Sequence, residues 1–444
     1  MPEKFSLYQS ESLRPEKWWL EFNEPELNAL INNALSDNFT LKAAGARLRQ
    51  ANALAVQAGS ALYPDLTGNL FNSYSRQRTE NDSATIRTTK NYSLGIMSSY
   101  ELDLWGKVRS EREAARLEGI ATQQDINTAA LTVAAEVTSR WANIISQRMQ
   151  KRLLKKQLSI NQTYLELVEL RFRKAMVSAL DVYQQRQLVE QINSEIPLVE
   201  KQEQLLIHEL LLLLGKPPTL KAAITRDSLP ELSDIPSLGL PVDLLASRPD
   251  IRAAGFRLQA ADWQVAAARA DRLPAINLTG ESHYNTDELD LLFSNWIISL
   301  AGNLTAPLLD GRRRTAEVER TQAQADENLT IYRETVLTAI KEVEDALVSE
   351  IKLRQNINAV ESELRVARRA LQQARERYRK GLNEYLPVLT QLLAVQRLER
   401  NLIQRQTELF LTRIGLYRAL GGNYLMAIPS PQEPPPENST KHKG

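Results

Sequence analysis

The stretch RFRKAMVSALDV (171–182) returns 206 positions later as RYRKGLNEYLPV (377–388), and that return decides how the chain is built. A second pair, AAGARLRQA (43–51) and AAGFRLQAA (253–261), repeats at a distance of 210. Gly215 and Gly421 keep the 206 offset and close segments that end LLLLLG and LYRALG. Repetition over such a period marks two copies of one structural plan. The copies span residues 26–215 and 242–421, and they follow an N-terminal extended segment, 1–25. The join, 216–241, holds Pro217, Pro218, Pro230, Pro236 and Pro241 and reads as a linker or equatorial segment. The tail, 422–444, carries PSPQEPPPENST and is expected to be disordered.

Each copy reads helix, two strands, one very long helix, a tight turn and a return helix. Between Gly311 and Gly381 there are 69 residues without glycine or proline. A continuous helix there would be ~100 Å long. Ala339, Val343, Ala346, Leu353, Ile357, Val360, Leu364, Ala367, Leu371, Ala374 and Tyr378 form much of its apolar stripe, with Glu350 the one interruption. Steps alternating between four and three residues mean coiled-coil packing against neighbours. The long helices are expected at 107–172 and 312–378, and the return helices at 180–214 and 386–420.

The other period is two. Tyr92, Leu94, Ile96, Tyr100, Leu102 and Leu104 alternate with Asn91, Ser93, Ser99, Glu101 and Asp103. Trp296, Ile298, Leu300, Leu304 and Leu308 do the same against Asn295, Ser299, Asn303 and Thr305. Strands are expected at 65–75, 91–104, 275–285 and 295–308. Each is about the length a tilted transmembrane strand requires, although a soluble sheet with one wet face would alternate in the same way. Four strands beside such helices cannot close a barrel, and open sheet edges are untenable in lipid. Three chains would supply twelve strands and a twelve-helix tube. The expected fold is therefore mainly α with a transmembrane β-barrel, complete only as a homotrimer. Tyr92, Tyr100, Trp105, Tyr284 and Trp296 fall where an interfacial aromatic girdle would lie.

Bulk composition hides this. Fifty-five basic residues against 54 acidic give a net charge of +1, which removes the field that general nucleic-acid binding needs. Mean hydropathy is −0.36, and no apolar run approaches the ~18 residues of a membrane-spanning helix. Glycine is scarce, 17 residues where average usage would give ~31. There is no cysteine, so thiolate metal sites and thiol nucleophiles are excluded. The three histidines, His208, His283 and His442, lack metal-ligand spacing, and no nucleotide or hydrolase motif is present. No enzyme, cofactor or metal is expected. The start, MPEK, has no signal-peptide pattern, which leaves a cytosolic protein or a mature exported chain.

With these features in order, the chain resembles the TolC-type outer-membrane factor family, in its OprM- and VceC-like branch. The carriers are WWLEFNEPELNALINNAL (18–35), YELDLWGKVRS (100–110), SRPDIRAA (247–254), LPAINLTG (273–280), the two RFRKA/RYRKG turns and ALGG (419–422). The resemblance implies an outer-membrane trimer whose barrel continues as a helical tunnel across the periplasm of a Gram-negative cell. It implies a passive, gated efflux duct working with a periplasmic adaptor and an inner-membrane pump of RND or MFS type to export drugs and other toxic small molecules. The acylated first cysteine of many relatives has no counterpart; either the anchor is lacking or that cysteine has been lost at Met1, and the barrel is expected to insert without it.

The resemblance also assigns residues. The turns carrying Arg173, Lys174, Ala175 and Arg379, Lys380, Gly381 match the periplasmic tip and are candidates for adaptor docking, although cations in a last helical turn also complement the helix dipole. Asp181 and Tyr378 match a pair that hydrogen-bonds between helices and holds the tip closed. Pro387 and Thr390 stand where aspartates form a ring in TolC, and Leu386 matches the constricting leucine of the OprM branch. Asn383 and Leu180 replace an arginine link. A mainly hydrophobic gate of Leu386, Pro387 and Thr390 is therefore expected, closing by dewetting. The readings weighed against the duct are a soluble elongated coiled-coil scaffold and a secreted pore-forming protein.

Overall fold

A computed structural model describes residues 17–80, 84–220, 224–235 and 241–421. Its elements, in chain order, are helices α1 (Pro25–Asp37) and α2 (Phe39–Ser60) and strands β1 (Asp65–Glu80) and β2 (Ala84–Leu102). Helices α3 (Lys107–Arg173), α4 (Ala179–Leu213), α5 (Asp243–Ser247) and α6 (Pro249–Ala270) follow. Strands β3 (Ala275–Thr286) and β4 (Trp296–Thr305) and helices α7 (Arg313–Arg379) and α8 (Leu386–Leu420) complete the order. Helices α3 and α7 have 67 residues each, ~100 Å of helix. Among the described residues no helix is long and apolar enough to cross a membrane. The chain divides into two compact units, one drawn from 1–44, 125–249 and 336–444 and the other from 45–124 and 250–335.

The first unit is held by two apolar clusters. One gathers Trp18, Trp19, Phe22, Leu27, Ile31, Trp141, Ile144, Leu210, Phe410 and Tyr417. Trp18 stacks on Tyr417 with ring centroids 5.4 Å apart, and Phe22 lies 4.7 Å from Phe410. Each such side chain contributes ~1.5–3 kcal/mol by leaving water. Residues 1–16 of the extended segment expected over 1–25 lie outside the described residues, and the rest is corrected: Trp18–Phe22 is a 3-10 turn that buries Trp18, Trp19 and Phe22, and α1 already begins at Pro25. The first helix of the repeat is also two. Asn38 breaks it, because its side-chain oxygen accepts the N–H groups of Thr40 (2.8 Å) and Leu41 (3.2 Å) and so caps α2. The other cluster joins α3, α4, α7 and α8 through Tyr164, Val168, Ile192, Leu371, Tyr378, Tyr385 and Val388.

Glu350, the interruption in the apolar stripe, is wholly buried because Arg413 faces it. Arg413 Nε donates to Glu350 Oε2 at 2.9 Å, and Arg354 Nη2 donates to Oε1 at 3.0 Å. The same arginines donate to the carbonyls of Ser233 (3.0 and 3.2 Å) and Asp234 (3.1 Å). Thr225 N–H and Oγ1 donate to Glu26 Oε2, and Arg148 donates to the carbonyl of Ile224. Described parts of the 216–241 segment are thus strapped to the helices by charge-assisted bonds. The Pro-rich tail, 422–444, lies outside the described residues.

The second unit carries one antiparallel sheet in the order β1-β2-β3-β4. Its register gathers most of the apolar positions onto one face, with Phe71, Met97 and Ile297 on the other. Leu70, Leu94, Tyr284 and Trp296 form one row, and Leu102, Ile276 and Leu304 form another. Asn69, Ser73, Asn91, Ser93, Ser99, Asn277, Thr279, Asn285, Ser299 and Asn303 point the other way. β1 and β2 run well past the apolar alternation used to expect 65–75 and 91–104, since Arg76↔Thr88 and Arg78↔Ile86 keep the ladder paired. At its other end β2 stops at Leu102, because Asp103 turns to accept the N–H groups of Val108 and Arg109, each at 3.0 Å. β4 ends at Thr305, and Pro307, which lacks the N–H a ladder needs, follows. Leu104 and Leu308, expected in strands, therefore lie beyond their ends.

Candidate functional site

The repeated RFRKA and RYRKG turns are the junctions α3–α4 and α7–α8. In the first, Ala175 sits in the left-handed region (φ 54°), and Met176 N–H returns to the Arg171 carbonyl at 2.9 Å. In the second, Gly381 holds that conformation (φ 70°), and Leu382 N–H returns to the Arg377 carbonyl at 2.9 Å. Both are Schellman-type stops. Arg173, Lys174, Arg379 and Lys380 project from them, exposed and without an ion pair among the described residues.

The helices leaving the turns start differently. Ser178 caps α4: its hydroxyl accepts Asp181 N–H, and the Asp181 carboxylate accepts Ser178 N–H and Oγ at 2.9 Å each. Helix α8 begins at Leu386 with Pro387 in its first turn and no side-chain cap. Leu386, Pro387 and Thr390 are all exposed on that turn, while Val388 and Leu389 turn inward. Thr390 Oγ1 donates to the Leu386 carbonyl at 2.9 Å, which leaves no free hydroxyl proton on that face. The three gate candidates therefore share one surface.

Between the turns lies a cleft of about 860 Å³ whose lining includes Arg171, Met176, Leu180, Asp181, Tyr378 and Leu386. It brings Asp181 and Tyr378 together without a hydrogen bond between them in this chain. The Asp181 carboxylate is engaged by the Ser178 cap, and the buried Tyr378 hydroxyl has no hydrogen-bond partner among the described residues. Tyr378 is held otherwise: the Arg171 guanidinium lies 4.1 Å from its ring centroid, and Arg171 Nη1 donates to its carbonyl at 3.3 Å. Asn383, at the replaced arginine link, accepts from Arg377 Nε at 3.2 Å, while Leu180 is exposed.

A buried side-chain hydrogen bond behind the turns joins Tyr385 and Gln185, neither singled out from the sequence. Burial raises the Tyr385 hydroxyl pKa above its ordinary value, with Tyr164, Tyr378 and Asp181 adding to the rise. It stays a neutral donor. Gln185 Nε2 donates to the Asn161 carbonyl (2.8 Å), Asn161 Nδ2 to the Gln157 carbonyl (2.7 Å), and Gln157 Nε2 to the Gln396 carbonyl (3.2 Å). Arg368 on α7 closes the chain through Glu399 at 2.8 Å. All four long helices are thus stitched by one mostly buried polar line.

In the second unit, the expected aromatics occupy two levels of the apolar face. Tyr92 lies one rung from the directly opposed pair Tyr284–Trp296, and Phe293 packs edge-on to Tyr284 at 5.4 Å. Tyr100 lies eight residues along β2 from Tyr92, ~27 Å of strand. Trp105 follows it and donates its indole N–H to the Pro274 carbonyl at 2.7 Å. Beside it, Lys107 and Arg314 both donate to Asp271, at 2.6 and 3.0 Å. Burial would raise the Asp271 carboxyl, but the two cations outweigh it and hold the pKa below its ordinary value.

Comparison with known proteins bears on the family and the fold. The sequence matches the outer membrane efflux protein family over residues 30–216 and 240–422. It is 33% identical to the pyoverdine export outer membrane protein OpmQ of Pseudomonas putida, over 95% of this chain and 91% of that one. The fold superimposes on the outer-membrane channel OprN with a TM-score of 0.88 at 25% identity, covering 95% of this chain and 97% of that one. It superimposes on the outer membrane protein VceC of Vibrio cholerae with a TM-score of 0.86 at 27% identity, over 93% of this chain and all of VceC. Family match, sequence identity and fold lead to one conclusion: this chain belongs to the outer membrane efflux protein family.

Proposed function

We propose that three copies of this chain close their strands into a twelve-stranded barrel in the outer membrane and continue it as a twelve-helix tunnel into the periplasm. The register of the sheet carries this conclusion. One face is apolar and exposed across all four strands, and the outer edges of β1 and β4 are unpaired within the described chain. Lipid tolerates the first feature and forbids the second, so the edges must pair with neighbouring copies. The two aromatic levels, tilted with the strands, match the ~25 Å apolar band of such barrels. The polar face then lines a wet lumen.

In this arrangement the duct does no chemistry and holds no cofactor. An inner-membrane pump of RND or MFS type supplies energy and substrate choice, and a periplasmic adaptor meets the tip turns around Arg173, Lys174, Ala175, Arg379, Lys380 and Gly381. Leu386, Pro387 and Thr390 from three copies form the periplasmic gate, and the surfaces carrying Asp181 and Tyr378 help to hold it shut. The cargo is a small toxic or secreted molecule; OpmQ is named for pyoverdine. The test is purification in detergent followed by sizing and planar-bilayer conductance. A trimer that inserts and conducts is expected. A detergent-free monomer would overturn the duct.

A further inference from the structure

Resting on that outer-membrane reading, a feature of the β4–α7 connection points to a lipid partner. Leu308 and Leu309 are 95% and 96% exposed, the highest values among the large apolar side chains described. They follow the exposed Leu300 and Leu304 of β4, so the apolar face runs off the end of the strand and into the loop. The arginine triplet comes next and divides. Arg314 is drawn inward to Asp271 (3.0 Å) and Asp310 (3.4 Å). Arg312 follows Gly311 in the left-handed region, at φ 68°, with its side chain 81% exposed and only a distant contact to Glu319 at 3.7 Å. Arg313 is exposed beside it.

We propose that Leu308, Leu309, Arg312 and Arg313 form a contact for anionic phospholipid at the periplasmic leaflet, the leucines entering the acyl layer and the guanidinium groups reaching the headgroup phosphate. Two features favour lipid over protein. The order, apolar then cationic, follows the direction in which the strand leaves the bilayer, as snorkelling side chains do. The second is charge: guanidinium groups at a bilayer surface select anionic headgroups, enriching them locally by about fivefold for each arginine.

The chain has no cysteine, so Leu309→Cys gives a single position for a fluorescent label. The labelled trimer is placed in phosphatidylcholine vesicles with or without phosphatidylglycerol, and quenching by a nitroxide carried on each lipid's acyl chain is compared. Stronger quenching by labelled phosphatidylglycerol, by fivefold or more, is expected. Arg312→Glu with Arg313→Glu should remove the preference, whereas Arg312→Lys with Arg313→Lys should keep most of it, with trimer migration on gels confirming folding in both. Equal quenching by the two lipids would overturn the contact. So would a label already shielded in the detergent trimer and indifferent to lipid, which would make the loop a subunit interface. A chain that inserts and conducts but does not discriminate defeats this inference alone; one that never inserts defeats the barrel as well.

Discussion

The hydroxyl of Tyr385 donates to Gln185 Oε1 across 2.6 Å, and both side chains are essentially inaccessible to water. Tyr385 immediately precedes α8 and Gln185 lies on α4, so one bond ties the two repeats together just behind the tip. Tyr385→Phe leaves a buried amide oxygen without its donor, which costs ~1–3 kcal/mol. Lower thermal stability is expected, together with higher basal conductance in planar bilayers. Gln185→Leu should produce the same leak, because it frees the same helix. Unchanged conductance in both variants would mean that the bond stabilises the tip without restraining it.

Leu386 is the most direct test of the gate. Leu386→Ser replaces an apolar ring with hydroxyls in a trimer and should raise conductance by favouring a wetted constriction. Conductance equal to wild type would remove Leu386 from the gate.

Ala175 occupies a left-handed turn that Gly381 occupies in the second copy. The conformation costs an L-residue ~1–2 kcal/mol. Ala175→Gly should therefore raise the melting temperature modestly, provided the added freedom of the unfolded chain does not cancel the gain.

Glu203 predicts a pH dependence. Burial raises its carboxyl pKa, but Lys151 (2.5 Å) and Arg148 (2.9 Å) outweigh burial and hold it below the ordinary value. A depressed carboxyl contributes stability above its unfolded pKa, ~4.3, and loses it as pH falls through the folded value. Glu203→Gln should cost ~1–2 kcal/mol near neutrality, because it deprives the half-buried Lys151 and Arg148 of their charged acceptor. The difference in melting temperature between variant and wild type should then shrink progressively below pH ~4.

Gly95 faces His283 across the β2–β3 pairing, and a Cβ at Gly95 would meet the His283 Cβ at 2.6 Å. Gly95→Val should therefore disrupt that pairing and reduce the yield of folded, membrane-inserted protein, measured by heat-modifiable migration on gels.

The long helices and both turns were legible because glycine, proline and the apolar period act over many residues and are repeated 206 positions apart. The gate candidates Leu386, Pro387 and Thr390 came from the resemblance alone, since neither period nor spacing sets them apart from other exposed positions of the helix. The resemblance makes Asp181 an interhelical partner, yet Ser178-x-x-Asp181 is itself a capping signature, and the carboxylate is engaged in that local cap. Gln185 was invisible within YQQRQ, where nothing separates a buried amide from a solvated one. Glu350 looked like a defect in the stripe because its compensation, Arg413, lies 63 positions away. The far ends of β1 and β2 carry arginine and threonine on both faces, so no alternation announced that backbone pairing continued.

In the proposed trimer, that continuation would reach beyond the membrane. Eight residues of β2 lie beyond Tyr92, ~27 Å of polar ladder, while β3 and β4 have no comparable extension. Around a threefold mouth, the β1–β2 hairpins would stand as three separate posts. They would be the part of the protein first met by antibodies, phage and proteases at the cell surface, and the natural place to graft an epitope without touching the duct.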